Sequence, residues 1–338
     1  MKTESDTWVN SETNINNHYD VSRTNSITKD KRTIVDGMPE FVNRIYSSLK
    51  TNFDRVQNYK RLRLEFLNKM NYELNIDFPQ FYNEKIQWKK LFDRNPLLTL
   101  TADKYAVRFY LKELLGEEAA NEILVPLYHV TDNPSDIPFD DLPDKFVIKP
   151  NHGSFLHMLV KDKSLVSREF IINECRKWLK VNFGFYNHEW AYRNIKRKII
   201  IEKLLESKDC RLPLDYKLFC FHGKCKYIRV AGNRLDSDGG ASFFDLEWNR
   251  LPVNMAGYNI NNESFNKPAN LIEIINLGEQ LSENFDAVRV DFYICNEKIY
   301  FGEFTHYHAS GLARFEPATF DFELGKLWQI KNDYCRKK

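Results

Sequence analysis

The pattern of this 338-residue chain predicts an α+β fold in which antiparallel strand pairs alternate with helices. Two observations carry that expectation. The first is a series of short β-type runs at 145–149, 155–161, 198–205, 215–221, 224–231, 287–294 and 298–305, several of them joined by short polar turns such as His222-Gly223 and Asn296-Glu297. The second is the helical periodicity between them: Ser167 is placed to cap a helix running through Trp178 and Leu179, and 269–281 reads as another. No internal repeat is present.

The amino-terminal part differs. Residues 1–36 are rich in Asn, Ser, Thr and single charges and have almost no apolar periodicity, so burial cannot repay the entropy of ordering them, and a disordered polar tail is expected. Over 37–98 apolar residues recur at helical spacing (Ile45, Leu49, Val56, Tyr59, Leu62, Phe66, Met70) until Phe78-Pro79 breaks the pattern, which predicts a small helical cap. Thr101 is expected to cap a further helix that carries Asp103, Lys104 and Arg108. Its apolar stripe is Val107, Tyr110, Leu111, Leu114 and Leu115, and it stops at Gly116.

With 43% apolar residues the chain is able to bury a substantial core. Lys+Arg at 49 against Asp+Glu at 47 gives no long-range field that would favour nucleic acid, so any basic site must be local. No run of about 18 apolar residues would span a bilayer, and residues 1–20 lack the apolar core of a secretory signal, so a cytoplasmic protein is expected. The six cysteines show no C-x-x-C spacing and read as reduced thiols; Cys220 and Cys225 are expected as hairpin neighbours without a second pair to complete a zinc site.

The most informative stretch is 289–305, two alternating strands around Asn296-Glu297. Period two puts Arg289, Asp291 and Tyr293 on one face and Val288, Val290 and Phe292 on the other. Whether Glu303 joins Asp291 depends on register. With an odd connecting loop Arg289 lies opposite Glu303 and Asp291 sits diagonally from it. Such a carboxylate pair suits Mg²⁺, a hard cation that often takes one or two carboxylates plus substrate phosphates, and Arg289 would then face charge developing on a transferred phosphoryl group. The competing reading is a surface hairpin with a cross-strand ion pair worth under about 1 kcal/mol.

Three other basic positions, Arg108, Lys149 and Lys217, are candidates to meet a triphosphate, though each alone reads equally as a solvated side chain. The apolar strand ending in Glu202-Lys-Leu204 is a candidate hinge whose backbone pairs with a base edge, or simply a buried strand with a frayed end.

Taken together, 83–328 resembles the ATP-grasp fold and, more narrowly, the TupA-like ATP-grasp family of teichuronopeptide biosynthesis. The residues that carry the resemblance are Asn83-Glu-Lys-Ile-Gln-Trp88, Ala102-Asp-Lys-Tyr-Ala-Val-Arg108, Leu142-Pro-Asp-Lys-Phe-Val-Ile-Lys-Pro-Asn-His-Gly153, Asp215-Tyr-Lys-Leu-Phe219, Arg289-Val-Asp-Phe292, Phe301-Gly-Glu-Phe-Thr305 and Ala309-Ser-Gly311. The resemblance implies two α+β subdomains gripping ATP, a first lobe with a lid over 99–203 and a second with the metal hairpin over 204–338. It implies that Arg108 and Lys149 contact phosphates, Glu202 and the Leu204 backbone read adenine, Asp215 faces the ribose, Lys217 the phosphates, Asp291 and Glu303 bind magnesium, and Arg289 lies beside the transferred phosphate. The implied activity joins a carboxylate, activated as an acyl phosphate, to an amine. The implied setting is attachment of amino acids or peptides to cell-surface polysaccharide such as capsule, beside other polysaccharide-assembly enzymes.

Three departures from the family pattern stand out. Thr305 replaces an Asn two residues after the metal-binding Glu, offering a hydroxyl in place of an amide and leaving a second metal in question. Phe155 occupies a lid position where glycine is expected. His306 and His308, taken by their alternate spacing to share a face with Glu303, are candidates to orient an acceptor or to act as acid and base. The rival enzyme class is a nucleotide-sugar glycosyltransferase using the D-x-D pair Asp236 and Asp238, and a sugar kinase would share the ATP site. Nucleotide binding without turnover, as a scaffold, is a third reading.

Overall fold

A computed structural model describes residues 19–20, 40–207, 211–232, 240–256, 265–331 and 333–335. The helices, in chain order, are α1 (Glu40–Val56), α2 (Lys60–Met70), α3 (Tyr82–Phe92), α4 (Pro96–Ala102), α5 (Val107–Leu115), α6 (Glu117–Ile123), α7 (Arg168–Leu179), α8 (Leu271–Ser282) and α9 (Thr319–Leu327). The strands are β1 (Tyr19–Asp20), β2 (Leu127–Thr131), β3 (Phe146–Pro150), β4 (Met158–Val160), β5 (Ile199–Lys203), β6 (Leu214–Phe221), β7 (Lys224–Ala231), β8 (Ala241–Phe244), β9 (Arg250–Leu251), β10 (Asn254–Met255), β11 (Ala287–Cys295), β12 (Lys298–Thr305) and β13 (Phe315–Glu316). They form two compact units: Met1–Arg44 with Val125–Phe183 and Ile195–Leu204, and Ile45–Leu124 with Gly184–Asn194 and Leu205–Lys338.

In the first unit the sheet runs β1-β4-β3-β5-β2, antiparallel throughout. Alternation puts Phe146, Ile148, Ile199 and Ile201 on one face, where they share a core with Ile171, Cys175 and Trp178 of α7. Ser167 caps α7 by accepting the Phe170 amide. Val147, Lys149, Ile200 and Glu202 lie on the other face. The run expected at 155–161 shrinks to Met158–Val160, because Phe155 adopts φ +65° and the chain is still turning there. Within the expected tail, Tyr19 and Asp20 pair with Val160 and Leu159; the rest of 1–36 lies outside the described residues.

The second unit is built on an antiparallel sheet in the order β12-β11-β6-β7-β8-β9. Its two long hairpins close through His222-Gly223 and Asn296-Glu297, all four residues at positive φ, the geometry whose twist matches that of the strands it joins. Cys220 faces Cys225 across the first hairpin as a free thiol pair. One sheet face packs on α8 so closely that a Cβ on Gly278 would come within 2.6 Å of Leu218. The opposite face carries Phe219 and Phe243, packed with Tyr82, Phe315 and Phe320.

Helix α3 is buried on nearly every side, and its polar residues explain why. Asn83 exchanges two hydrogen bonds with the backbone of Ala313 (2.8 and 2.9 Å), Gln87 donates to the carbonyls of Ser310 and Gly311, and Lys89 meets Asp286 at 2.9 Å. The helices expected as a separate cap, and 99–124 expected in the first lobe, thus fall in the second unit from Ile45 onward. Two local details also differ from expectation. Thr101 is buried within α4, and Asp103 instead accepts the amides of Tyr105 and Ala106 before α5 begins, so Lys104 sits in the turn. Tyr59, between α1 and α2, and Leu62, Phe66 and Met70 of α2 are buried, whereas Ile45, Leu49 and Val56 of α1 are exposed.

Candidate active site

A β-bulge decides the register of the β11–β12 hairpin. The connecting loop has two residues, an even number, and pairs Cys295 with Lys298 and Phe292 with Phe301. Continued unbroken, that register would set Asp291 opposite Gly302 and turn Glu303 toward the Val290 face. The ladder instead shifts by one at Gly302, so Asp291 stands directly opposite Glu303 and Arg289 opposite Thr305. This corrects the diagonal arrangement expected from an odd loop. Gly302 permits the close approach, since a Cβ there would meet the Asp291 carbonyl oxygen at 3.0 Å.

Charges gather on that face. Arg289 Nε and Nη2 donate to the two Asp291 carboxylate oxygens at 2.7 and 2.6 Å, a bidentate pair. Strand β6 lies on the other side of β11 and sets Lys217 opposite Asp291, Nζ to Oδ2 at 3.1 Å; Lys217 also pairs with Asp215. Asp291 is only 2% exposed, which removes the solvated surface pair from consideration. Burial alone would raise its pKa, but Arg289 and Lys217 outweigh it and hold the carboxyl below the usual range. For Asp215 burial prevails, with the neighbouring Asp291 charge adding to it, and its pKa is raised. Its Oδ1 is buried with no hydrogen-bond partner.

Sequence reasoning missed the groups that hold Glu303. Lys104, from the turn before α5, reaches Glu303 Oε2 at 3.0 Å. Thr305 accepts from Arg289 Nη2 at 3.0 Å and donates to Glu303 Oε1 at 3.5 Å, so its hydroxyl bridges two members of the cluster. Only the adjacency of Lys104 to Arg108 could have signalled the first. Arg108 itself stands, half-buried, in the first turn of α5.

His306 and His308 lie beyond the end of β12 at Thr305, so strand alternation does not carry them onto the Glu303 face. Both are buried among aromatic rings, His306 against Phe285 and Phe304 and His308 against Phe219, Tyr82 and Phe315. His306 Nε2 meets the Thr101 hydroxyl at 2.8 Å. Burial holds both imidazoles neutral, their pKa values well below the ordinary one, which suits packing better than proton transfer.

In the first unit Lys149 Nζ lies 2.7 Å from Glu202 Oε2, a diagonal pair across β3 and β5, with Glu202 nearly buried and Leu204 just past the strand. The segment after β3 is tied down by Asn151, which accepts from the Lys198 amide at 2.7 Å and donates to the Lys196 carbonyl at 2.9 Å. Two residues on, Gly153 at φ +77° abuts the Phe183 ring, where a Cβ would come within 2.4 Å. Phe155, half-exposed, adopts the left-handed backbone conformation that glycine takes most readily.

Among the described residues no group of three or more His, Cys, Asp or Glu is arranged to hold a metal ion. The pair Asp291 and Glu303 offers two carboxylates, the number Mg²⁺ commonly takes when phosphates complete its shell. Their hard oxygens fit that ion, and Arg289, Lys217 and Lys104 balance their charge meanwhile.

An antiparallel sheet with two carboxylates and flanking bases on one face, in a chain that also holds a second α+β unit, is the equipment of an ATP-grasp enzyme. The family model described as TupA-like ATPgrasp matches residues 84–329, and the chain belongs to that family. No curated protein gives a significant match. Similar solved structures include the D-alanine–D-alanine ligase from Helicobacter pylori (14% identity, 73% of this chain and 69% of that chain, TM-score 0.41) and that from Bacillus anthracis (16% identity, 64% and 59%, TM-score 0.36). A third is the D-cycloserine synthetase DcsG (16% identity, 68% and 70%, TM-score 0.37). The chain thus spans about three-fifths of the Bacillus anthracis ligase it matches. No helix among the described residues is long and apolar enough to cross a membrane.

Proposed function

We propose that this protein is a magnesium- and ATP-dependent ligase that activates a carboxylate as an acyl phosphate and joins it to an amine. The observation that carries the proposal is the bulge at Gly302, which brings Asp291 and Glu303 to one point beside Arg289. A magnesium ion held by the two carboxylates would supply positive charge to the phosphate oxygens. Arg289 is fixed beside them, ready to stabilise charge on the transferred phosphoryl group without reorganising. Lys217 and Arg108 are assigned to phosphates. Asp215 is assigned to the ribose, where a hydroxyl donor would satisfy its orphaned Oδ1. From the first unit, Lys149 is assigned to phosphate and Glu202 with the Leu204 backbone to adenine.

In the reaction a substrate carboxylate oxygen attacks the terminal phosphorus and ADP leaves. The amine nitrogen then attacks the acyl carbon, the C–O bond to phosphate breaks, and the nitrogen sheds a proton as the amide forms. Attachment of an amino acid or peptide to a cell-surface polysaccharide or its precursor is the setting we propose, on the strength of the TupA-like family; a cytoplasmic site of action goes with it, since ATP is consumed.

The test is to supply ATP, Mg²⁺ and hydroxylamine with a panel of carboxylic acids. ADP together with a hydroxamate, both lost in Asp291→Asn, supports acyl-phosphate chemistry. A stable phosphorylated sugar without hydroxamate would make the protein a kinase. Release of UDP or GDP from a nucleotide sugar would favour a transferase; the D-x-D pair that reading needs, Asp236 and Asp238, lies outside the described residues.

A further inference from the structure

One row of side chains crosses the charged face of the second unit's sheet. In register it runs Glu303, Asp291, Lys217, Arg229 and Phe243, one residue from each of β12, β11, β6, β7 and β8, with neighbouring strands about 4.8 Å apart. The function proposed above uses the first three members, two for metal and one for phosphate. Arg229 comes next. It is only 3% exposed, and its guanidinium carbon lies 5.9 Å from the centre of the Phe243 ring.

His308 stands over the adjoining row. Its ring centroid is 5.2 Å from that of Phe219, which pairs with Arg289 of β11 and lies two residues along β6 from Lys217. Arg289, Arg229 and Lys217 thus flank the imidazole, and their charges join burial in holding it neutral. The residue is 3% exposed, and its Nδ1 is buried with no hydrogen-bond partner among the described residues. A polar atom left so is costly, and a ligand that completes it recovers the loss. The turn that follows holds the ring in place. Ala309, Ser310 and Gly311 are all left-handed, at φ +46°, +58° and +69°, and helix α3 clamps them. Gln87 Nε2 donates to the Ser310 and Gly311 carbonyls at 3.0 and 2.8 Å, and Lys90 Nζ to the Ser310 carbonyl at 2.9 Å. Two consecutive non-glycine residues keep such a conformation only where their surroundings impose it.

In the first step of the proposed reaction two anions meet, the terminal phosphate and the carboxylate that attacks it. A cation beside the carboxylate offsets their repulsion and orients the attack. With Arg289 and Lys217 assigned to phosphate, Arg229 is the next cation in the row. A neutral imidazole beside it moves no proton, yet as the Nδ1–H tautomer it donates one hydrogen bond to a carboxylate oxygen. We propose that Arg229 and His308 hold the substrate carboxylate that becomes the acyl phosphate, Arg229 as its counter-charge and His308 as the donor that sets its orientation. This inference rests on the ligase reading above.

Two measurements test it. In the hydroxamate assay, with the acid that gives most product, Arg229→Met should raise KM for the acid by about tenfold or more and leave KM for ATP within about twofold. His308→Phe keeps a ring in the aromatic packing and should raise KM for the acid by about fivefold, whereas His308→Asn, whose amide stands in for the Nδ1–H, should restore most of the loss. Thermal unfolding of each variant is followed alongside, and Arg229→Lys, which keeps the charge but not the planar fork, takes the place of Arg229→Met if the latter does not fold. The second measurement needs no turnover. The full chain, labelled with 15N-histidine and saturated with Mg²⁺ and ADP, is titrated with sodium acetate, with sodium chloride at equal ionic strength as the control. The Nδ1 signal of His308, assigned by its loss in His308→Phe, should move with acetate and not with chloride, and should move less in the Arg229 variant.

A KM for the acid indifferent to the Arg229 and His308 substitutions, or an Nδ1 signal that acetate does not move, would overturn the proposal and leave the ligase reading standing. Should no acid yield ADP and hydroxamate, the ligase reading fails, and the acetate titration alone decides whether Arg229 and His308 form a carboxylate site.

Discussion

The two units place charged residues on a sheet face by the same rule and to different effect. In the first, one cation meets one carboxylate: Lys149 and Glu202 lie diagonally across β3 and β5 and pair at 2.7 Å. In the second, three antiparallel strands, one of them bulged, set Lys217, Asp291 and Glu303 side by side, with Asp215, Arg289, Thr305 and Lys104 around them. A single pair is suited to holding a ligand in place. A cluster in which every carboxylate is flanked by cations has the spare charge to exchange partners when a metal and phosphates arrive. Under the function proposed above, the first unit would bind and the second would carry the chemistry.

Its sharpest break would come from Asp291→Asn. Loss of the central carboxylate should lower kcat by about a thousandfold. It leaves Arg289 buried with a weakened partner, so unfolding free energy should also fall by about 3 kcal/mol, measurable by denaturant titration. Acid should act on the second unit for a related reason. Burial pushes His188 down to about 4, against the hydrogen bond it donates to Asp54, which favours its charged form. The unfolded chain takes up that proton near pH 6.5 and the folded chain does not, so stability present above pH 6.5 is lost as pH falls toward 4. The loss amounts to about 3 kcal/mol, in a profile that His188→Asn should flatten.

Smaller effects sharpen the same contrast. Gly302→Ala forces a methyl against the Asp291 carbonyl oxygen, and a cost of about 2 kcal/mol with a parallel fall in kcat is expected if the bulge sets the carboxylate pairing. Lys149→Met should raise KM for ATP by about tenfold and change kcat less, the signature of lost binding rather than lost chemistry. Thr305→Val removes the hydroxyl between Arg289 and Glu303 and should cost about 1 kcal/mol in stability, with a modest change in turnover.

How legible the molecule was in its sequence varied with the length scale of the cause. The long strands β6, β7, β11 and β12 and both hairpin turns follow from alternation and turn chemistry, local properties that residues such as Val288 to Phe292 display directly, whereas β2, β8, β9, β10 and β13 were not anticipated. Register does not. The shift at Gly302 arises from a backbone close approach that no pattern of polarity announces, and a two-residue loop alone would have separated Asp291 from Glu303. The contribution of Lys104 was hidden because it comes from a turn far away in the chain, and Asp103 took the capping role that Thr101 gave up to the interior. In α1 the periodicity of Ile45, Leu49 and Val56 was legible, but a period does not say which way its face is turned. That was settled by Asp54 and Thr51, whose polar partners lie in 184–194. The segment Asn83–Trp88 shows the converse: its residues are readable as a motif, and only the fold reveals that Asn83 and Gln87 serve to anchor the loop after β12.

The central claim is that the hairpin carboxylates hold the metal of an ATP site. A crystal structure of the protein soaked with Mg²⁺ and a non-hydrolysable ATP analogue tests it directly. The account requires an ion about 2.1 Å from oxygens of both Asp291 and Glu303, with Arg289 turned to the terminal phosphate. An ion held elsewhere, or nucleotide bound while both carboxylates keep their present partners, would contradict it.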